Sequence, residues 1–468
     1  MNNLYLFGAG FYGKIAYQKL RDMFNILAFI DNNSQKIKRE DVWDLPIING
    51  SKLESLELTN ADIVICVRDY DSVARQLIEA GINEYYVYYD GFIYFNSSTE
   101  IMMPVELYVG TYKKRSKSEK NILFVQDTAC VRTHKIASVM KSAGYNVLLL
   151  YSILPPVNQY KEYSRIYDEI WTFSSIDGIR KFINDSEIDL VHCSNEPDVL
   201  VNIANMTNKP VVADTHDMLS TRDCPSCEVM LMEYLANSKC DGNIYTSDIV
   251  EKMARKKYGL CNKEVYVLEN LILEQINVDR LNKKSNLDGE IHCVYEGGVD
   301  FYRTELPKYF ENIWLRIADA GVHVHFYSIN EEKSKELASK SEYIHYEGNV
   351  GGERLIQELT QYDCGLALYN ITNTNKRLTE TYSPNKIFEY LEAGIPVAAN
   401  VVAHVDFLKK YNVGDEVDLR LHVDEQIKMI VNLDVPNDFL TKNGLSMMSR
   451  KNDLIQFYAR VIEKHNES

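Results

Sequence analysis

Short apolar runs alternate with segments of helical spacing along most of this chain. "LYLFGAG" (4–10) reads as a strand. "FYGKIAYQKLRDM" (11–23) then places Ile15, Leu20 and Met23 on one side of a helix. "NILAFIDNN" and "ADIVICV" are further strands, "SVARQLIEAG" a helix and "EYYVYY" a fourth strand. Strands that alternate with helices predict a parallel sheet, here in a small α/β block over 1–95. Residues 96–120 are tyrosine-rich, then lysine-rich, and read as a linker.

The pattern restarts at "NILFVQ" and "HKIASVMKSAG". "YNVLLLY", "EIWTF", "DLVHCS", "PVVADTH" and "VYVLEN" are strand candidates, separated by the helical "IDGIRKFIND" and "PDVLVNIANMT". This second block covers 121–271. Residues 272–289 are polar and read as an inter-domain linker. A third α/β block, 290–435, begins with "IHCVYEGG", a strand into a glycine turn. It continues through the helix "ELPKYFENIWLRIADAG", the strands "VHVHFYS", "YIHYEG" and "CGLALYN", and the stretch "SPNKIFEYLEAGIPVAAN" (383–400). Residues 436–468 end in an amphipathic helix, "LIQFYARVIEKH". No repeat of roughly 20–50 residues is visible.

Composition narrows the function classes. A net charge of −16 argues against a broad nucleic-acid footprint. The one basic cluster, "KKRSKSEK" (113–120), is short and reads as a solvated linker. Nine cysteines, an odd and scattered set, suggest reduced thiols and a cytoplasmic protein. Cys224 and Cys227 in "DCPSCE" have metal-like spacing but no second matching pair, so no metal is expected there. No apolar run approaches the ~20 residues of a membrane span, although peripheral contact with the inner face of a membrane stays open.

The 383–400 stretch carries the most chemistry. Ser383 suits an N-cap, Pro384 the first helical position and Gly394 the C-terminal stop, which predicts a helix from Ser383 to Ala393. Its N-terminus would face the carboxyl end of "CGLALYN", the ligand edge of an open α/β sheet. Lys386 in the first turn opposes the helix dipole by up to roughly 1 kcal/mol unless an anion sits before it. Glu389, three residues on, shares its face. The pair can bind phosphate and ribose hydroxyls, or simply form a surface ion pair.

"KIFEYLEAGIPV" resembles the C-terminal half of bacterial retaining glycosyltransferases of the GT-B fold, family-4 type. The resemblance covers about residues 120–466. It implies two Rossmann-like domains facing a cleft, here preceded by the small extra Rossmann-like domain. It further implies Lys386 on the donor phosphate with Ser383, Pro384 and Asn385 beside it, and Glu389 on the ribose. The family often has another glutamate eight positions earlier; Thr381 stands there, with Glu380 one residue off. "YEGGVDFYR" (295–303) resembles the family's glycine turn and diphosphate clamp, which points to Arg303, with Lys308 further into the next helix. "YIHYEGNV" (343–350) implicates Asn349 and Val350 at the nucleobase. "PVVADTHD" (210–217) puts His216 in the donor–acceptor cleft, and "QDTACVRTHKIA" (126–137) puts Arg132 or His134 toward the acceptor. Asn270 falls before the interdomain crossing, and the last helix fits one that returns to the N-terminal half.

The implied reaction moves a sugar from a UDP- or GDP-sugar to a glycan, lipid-linked or protein acceptor of a bacterial surface, with retention and no obligatory metal. "DYD" (69–71), the one Asp-x-Asp-like run noted, lies in the first block, away from this site.

In the front block, Gly8, Gly10 and Gly13 follow a strand and open a helix, and Asp31 ends the next strand. That is the context a dinucleotide fingerprint needs. With "LPIING" it resembles the N-terminal nucleotide-sugar-binding domain of bacterial sugar acyltransferases. A nucleotide, a nucleotide sugar or NAD there remains open. So do two other functions: a redox or epimerising enzyme acting through this block, and a non-catalytic GT-B-like binding protein. Oligomeric state is not set by the sequence.

Overall fold

The computed structural model describes residues 3–21, 24–33, 41–42, 45–56, 58–67, 70–82, 84–89, 92–97, 120–127, 130–151, 166–172, 176–194, 198–222, 224–260 and 263–467. Most of the expected linker, the basic cluster and part of "DYD" lie outside them. The architecture is mixed α/β with three largely parallel sheets. The first contains β1 (Asn3–Phe7), β2 (Asn25–Asp31), β3 (Asp41–Val42), β4 (Leu45–Asn49), β5 (Ala61–Ile65), β6 (Glu84–Tyr89) and β7 (Phe92–Ser97), in the order β3-β4-β2-β1-β5-β6-β7. Its parallel core, β4-β2-β1-β5-β6, has the strand order of one Rossmann half with two added strands, and switches direction between β1 and β5. β3 and β7 pair antiparallel at its two edges.

The second sheet contains β8 (Asn121–Gln126), β9 (Asn146–Tyr151), β10 (Glu169–Thr172), β11 (Leu190–Ser194), β12 (Val211–Thr215), β13 (Gly242–Tyr245) and β14 (Glu264–Val267), in the order β10-β9-β8-β11-β12-β13-β14. The third contains β15 (Ile291–Glu296), β16 (Val322–Tyr327), β17 (Ile344–Tyr346), β18 (Cys364–Ala367), β19 (Val397–Ala399) and β20 (Gly414–Glu416), in the order β17-β16-β15-β18-β19-β20. In all three sheets, helices between strands carry the chain across to strands that lie parallel in the sheet.

Two compact units emerge. One holds Met1–Asp214, Lys239–Asp241 and Arg460–Ser468; the other holds Thr215–Ser238 and Gly242–Ala459. The core of the third sheet is aromatic. The helix Glu311–Asp319 buries Ile313, Trp314, Ile317 and Ala318, a spacing that gives one apolar stripe. Trp314 stacks on Phe310 at 5.1 Å, and Tyr295 of β15 lies 4.5 Å from Phe310. Each such side chain contributes on the order of 2 kcal/mol through burial.

Three local expectations are corrected. The helix expected from residue 305 begins at Glu311, because turns at Arg303–Leu306 and Leu306–Tyr309 precede it and Asp300 N–H donates to the Lys308 carbonyl. The helix expected from Ser383 to Ala393 spans Asn385–Glu392, with Pro384 as an extended N-cap (φ −72°, ψ 138°) rather than its first helical residue. Ser383 therefore caps nothing; a residue before proline is biased away from helical angles. The 272–289 segment is also no free linker. Leu281 N–H donates to Thr360 Oγ1 at 3.0 Å, Lys284 N–H to the Gln361 carbonyl at 2.9 Å, and Ser285 Oγ to Asp363 at 2.8 Å.

Candidate functional site

β15 ends at Glu296 and turns at Gly297, whose φ of +116° favours glycine. A side chain there would stand 3.7 Å from Lys386 Nζ, so the bare backbone keeps the space before the ammonium open. Tyr295 Oη donates to the Gly298 carbonyl at 2.8 Å and pins the turn. The Asn385–Glu392 helix lies close on β18 because Gly365 has no Cβ; one would fall 2.3 Å from the Tyr390 ring. Tyr390 Oη in turn accepts from Glu296 N–H at 3.2 Å. Glycines and tyrosines thus fix the helix start against the turn.

Lys386 is only 7 % exposed. Its ammonium sits 4.1 Å from the Tyr295 ring centroid and 5.6 Å from that of Tyr369. Among the described residues it makes no ion pair. Burial lowers its pKa from 10.5 to about 8; Lys308 pushes the same way, while Glu296 and Glu389 oppose. Glu389 is half-buried, one turn on. No side chain caps the helix, so its first-turn N–H groups have no side-chain acceptor. A buried cation with no ion pair among the described residues, beside uncapped N–H groups, is the chemistry that suits a bound anion.

Next to it lies a cavity of about 530 Å³ whose lining includes Arg222, Gly298, Arg303, Lys308, Asn375 and Tyr382. Lys308 lies in the turn before the Glu311 helix, not within it, and its stem passes 4.0 Å from where a Cβ of Gly298 would be. Lys386 and Lys308 therefore approach adjacent glycines. Arg303 lines this cavity but keeps its guanidinium on Asp300. Its side chain is 66 % exposed and the bonds to Asp300 are 3.2–3.3 Å. Lys308, not Arg303, is the cation whose field reaches Lys386.

Asn375 and the loop around it are tightly held. Its amide donates to the Glu305 and Asn370 carbonyls at 2.7 and 2.8 Å. His404 bonds the Tyr382 carbonyl through Nε2 at 2.7 Å, and burial drops its pKa to about 4, so it is neutral and fixes that segment. Glu380 is half-exposed, 4.0 Å from Lys376, and lies outside the cavity lining. Thr381 is fully buried, with Oγ1 donating to the Leu378 carbonyl at 2.7 Å. Ser383 offers its carbonyl to Asn270 Nδ2. Asn385 leaves its buried Oδ1 unbonded. Asn349 is exposed and Val350 half-buried in the loop after β17; neither lines the cavity.

His216 is half-buried at the end of β12, and its carbonyl accepts from Thr246 Oγ1 at 3.2 Å. Beside it, Asp217 has its pKa raised by burial, opposed by His216, Arg222 and Lys308. The expectation that Arg132 or His134 faces an acceptor is corrected. Arg132 is 3 % exposed and grips fully buried Asp214 through three contacts of 2.9–3.1 Å. His134 is buried against Tyr167 Oη at 3.0 Å, and burial lowers its pKa to about 3.

In the first sheet the glycines serve close packing. A Cβ on Gly13 would fall 1.6 Å from the Gly8 carbonyl oxygen, and one on Gly8, at φ +123°, would fall 2.5 Å from Val67. Gly10 is the helix N-cap. Asp31, expected on a ribose, is 6 % exposed and accepts from Ala9 N–H and Asn33 N–H, both at 2.8 Å. Its carboxylate holds the glycine loop itself.

Reading the sequence missed Tyr295, Glu296, Tyr369 and Asp217. Asp217 stood next to a chosen histidine, and Glu296 stood before the chosen glycines, which is the signal that was available. The two tyrosines read only as core.

Residues 309–435 match the family model of the glucosyltransferase 3-like C-terminal domain. No curated protein matches the chain. Similar solved structures include AviGT4, a glycosyltransferase involved in avilamycin A biosynthesis, at 14% identity and TM-score 0.46, covering 74% of this chain and 98% of that one. Anabaena HepE in complex with UDP-glucose is similar at 12% identity and TM-score 0.48, covering 74% and 100%. A putative UDP-N-acetylglucosamine 2-epimerase from Listeria monocytogenes is similar at 12% identity and TM-score 0.46, covering 72% and 97%.

Proposed function

We propose that this chain is a GT-B glycosyltransferase that takes a nucleoside-diphosphate sugar as donor and transfers the sugar to a glycan, lipid-linked or protein acceptor. One observation carries the reading: the Lys386 ammonium is buried, unpaired among the described residues, and held at an uncapped helix start before a glycine turn. A charge kept in that state costs stability and is satisfied by a bound anion. The match of residues 309–435 to a glucosyltransferase-type domain supports the same reading.

The chemistry follows from what sugar transfer requires. Breaking the anomeric C–O bond leaves negative charge on a diphosphate. Fixed positive groups aimed at that charge lower the barrier most. Lys386, the helix N–H groups and Lys308 supply them, without a metal being needed. Glu389, on the Lys386 face, accepts hydrogen bonds from the ribose. His216 lies toward the donor sugar, with Asp217 beside it to stabilise an imidazolium. Attack on the face the diphosphate leaves retains configuration. Asn349 and Val350 border the base. In this reading residues 121–271 form the acceptor-side domain, 290–435 the donor domain, and the 1–95 block is structural or binds a nucleotide. Among the described residues no helix is long and apolar enough to cross a membrane.

Calorimetric titration with UDP, GDP and NAD, followed by a donor-hydrolysis assay over a panel of UDP- and GDP-sugars, tests this. A nucleoside diphosphate should bind, and hydrolysis should be lost in Lys386→Ala and Glu389→Ala. Binding of NAD alone, or full turnover in both variants, would overturn it.

A further inference from the structure

Four of the ten histidines gather on one face of the third sheet: His292 on β15, His323 and His325 on β16, and His345 on β17. Strand register brings them together. His292 is paired with His323, and His325 with His345. The His292 and His323 rings stack at 4.4 Å with 4° between their planes. None of the four takes part in the donor site proposed above. His292 lies four residues before Glu296, about 13 Å toward the amino end of β15 at a strand rise of ~3.3 Å.

The hydrogen-bond chain does not close with neutral imidazoles. Glu347 Oε1 lies 2.6 Å from His325 Nδ1, His325 Nε2 lies 2.8 Å from His292 Nδ1, and His292 Nε2 lies 3.0 Å from Asp288 Oδ2. Three contacts need three positive centres, and two neutral rings bring two N–H groups. If Glu347 accepts from His325, then His325 Nε2 accepts from His292 Nδ1–H. His292 Nε2 is left as a bare lone pair facing a carboxylate. Those two electron-rich atoms repel unless a proton or a metal cation lies between them. The second ring is oriented alike: His323 Nδ1 lies 2.9 Å from His345 Nε2, and its Nε2 lies 2.6 Å from Glu290 Oε2.

We propose that Asp288, His292 and His323 form a site for a divalent cation of the zinc class, with Glu290 as the closing carboxylate. The donor atoms of the first three lie within 4.8 Å of one another. Tetrahedral zinc, with bonds of about 2.0–2.2 Å, places its ligands about 3.4 Å apart, close to the 3.0–3.2 Å from Asp288 to His292. Two imidazoles with carboxylates suit zinc and its neighbours rather than magnesium or calcium, which take oxygen. Each ligating ring bonds through its other nitrogen to a further histidine, and Glu347 backs one of these, which is the support metal-bound histidines have. Asp288 and Glu290 are 43 % and 45 % exposed, so an ion can enter from solvent. The site is structural: it clips β15 to β16 and to the Ser285–Asp288 helix.

The test uses the full chain stripped with EDTA, ZnCl₂ as the probe, and competition with a chromophoric chelator. One equivalent should bind at micromolar Zn²⁺ and raise the Tm. Asp288→Asn and His323→Gln should each weaken binding at least tenfold while melting like the wild type in EDTA, and Glu347→Gln should weaken it roughly 10–100-fold. A variant with Cys224→Ser and Cys227→Ser should bind as the wild type does. The site is refuted by an absence of saturable binding, by undiminished binding in both ligand variants, or by loss of binding in the cysteine variant.

Discussion

Lys386→Met removes a charge while leaving a straight apolar side chain between the Tyr295 and Tyr369 rings. The ammonium's pKa falls from 10.5 to about 8 in the folded protein, chiefly through burial. Between those values the unfolded chain holds more protons than the folded one, so this residue's contribution to stability rises with pH across that window and is most unfavourable below pH 8. At pH 7 the penalty is about 3 kcal/mol, and at pH 9.5 it shrinks to about 1 kcal/mol. The two ring contacts return about 0.5–2 kcal/mol. The methionine variant should therefore be more stable than the wild type by about 1–2.5 kcal/mol at pH 7, with a smaller gap at pH 9.5. Urea denaturation of both proteins at the two pH values measures this. Calorimetric titration with UDP should show the opposite sign for binding: loss of a charged hydrogen bond worth about 1.5–3 kcal/mol weakens affinity by roughly 10–150-fold. A methionine variant that is several kcal/mol less stable and binds UDP unchanged would show that Lys386 serves the fold, and the reasoning would fail.

Lys308→Ala should weaken UDP binding more than Arg303→Ala does, because Arg303 is committed to Asp300 at an exposed position where such a pair contributes about 1 kcal/mol or less. The comparison fails if the arginine variant is the weaker binder. Glu389→Gln should cut donor kcat/KM by roughly 10–150-fold through its ribose contact, with the melting temperature unchanged; steady-state kinetics beside a thermal melt decides it. Arg132→Met takes from buried Asp214 its guanidinium partner, leaving His192 Nε2 at 3.4 Å as the nearby basic group, and should cost about 3–5 kcal/mol in a denaturant titration. Normal stability with lost transfer would instead return Arg132 to the acceptor side.

The parallel α/β architecture was legible because each strand is a short apolar run and each crossover helix carries its own stripe. That Lys386 and Glu389 lie one turn apart on a single helix was legible for the same local reason, a three-residue spacing. The start of that helix was misread by two residues, since Pro384 is accepted either as a first residue or as an extended cap, and only the path from Tyr382 selects between them. Arg303 and Lys308 could not be ranked from spacing. The loop that closes between Asp300 N–H and the Lys308 carbonyl turns one toward Asp300 and the other toward the glycines.

The chain's own pattern determined three sheets, their parallel sense, and a glycine turn and a lysine-bearing helix at strand ends. These follow from periodicity and turn chemistry, which act over a few residues. Tertiary structure decided what each charge meets. It buried Lys386 between two tyrosines, spent Arg132 on Asp214 and Asp31 on its own glycine loop, and aligned histidines 292, 323, 325 and 345 across three strands. The partners in these contacts lie far apart in sequence, as with the 82 positions between Arg132 and Asp214, and only strand register and packing bring them within bonding distance.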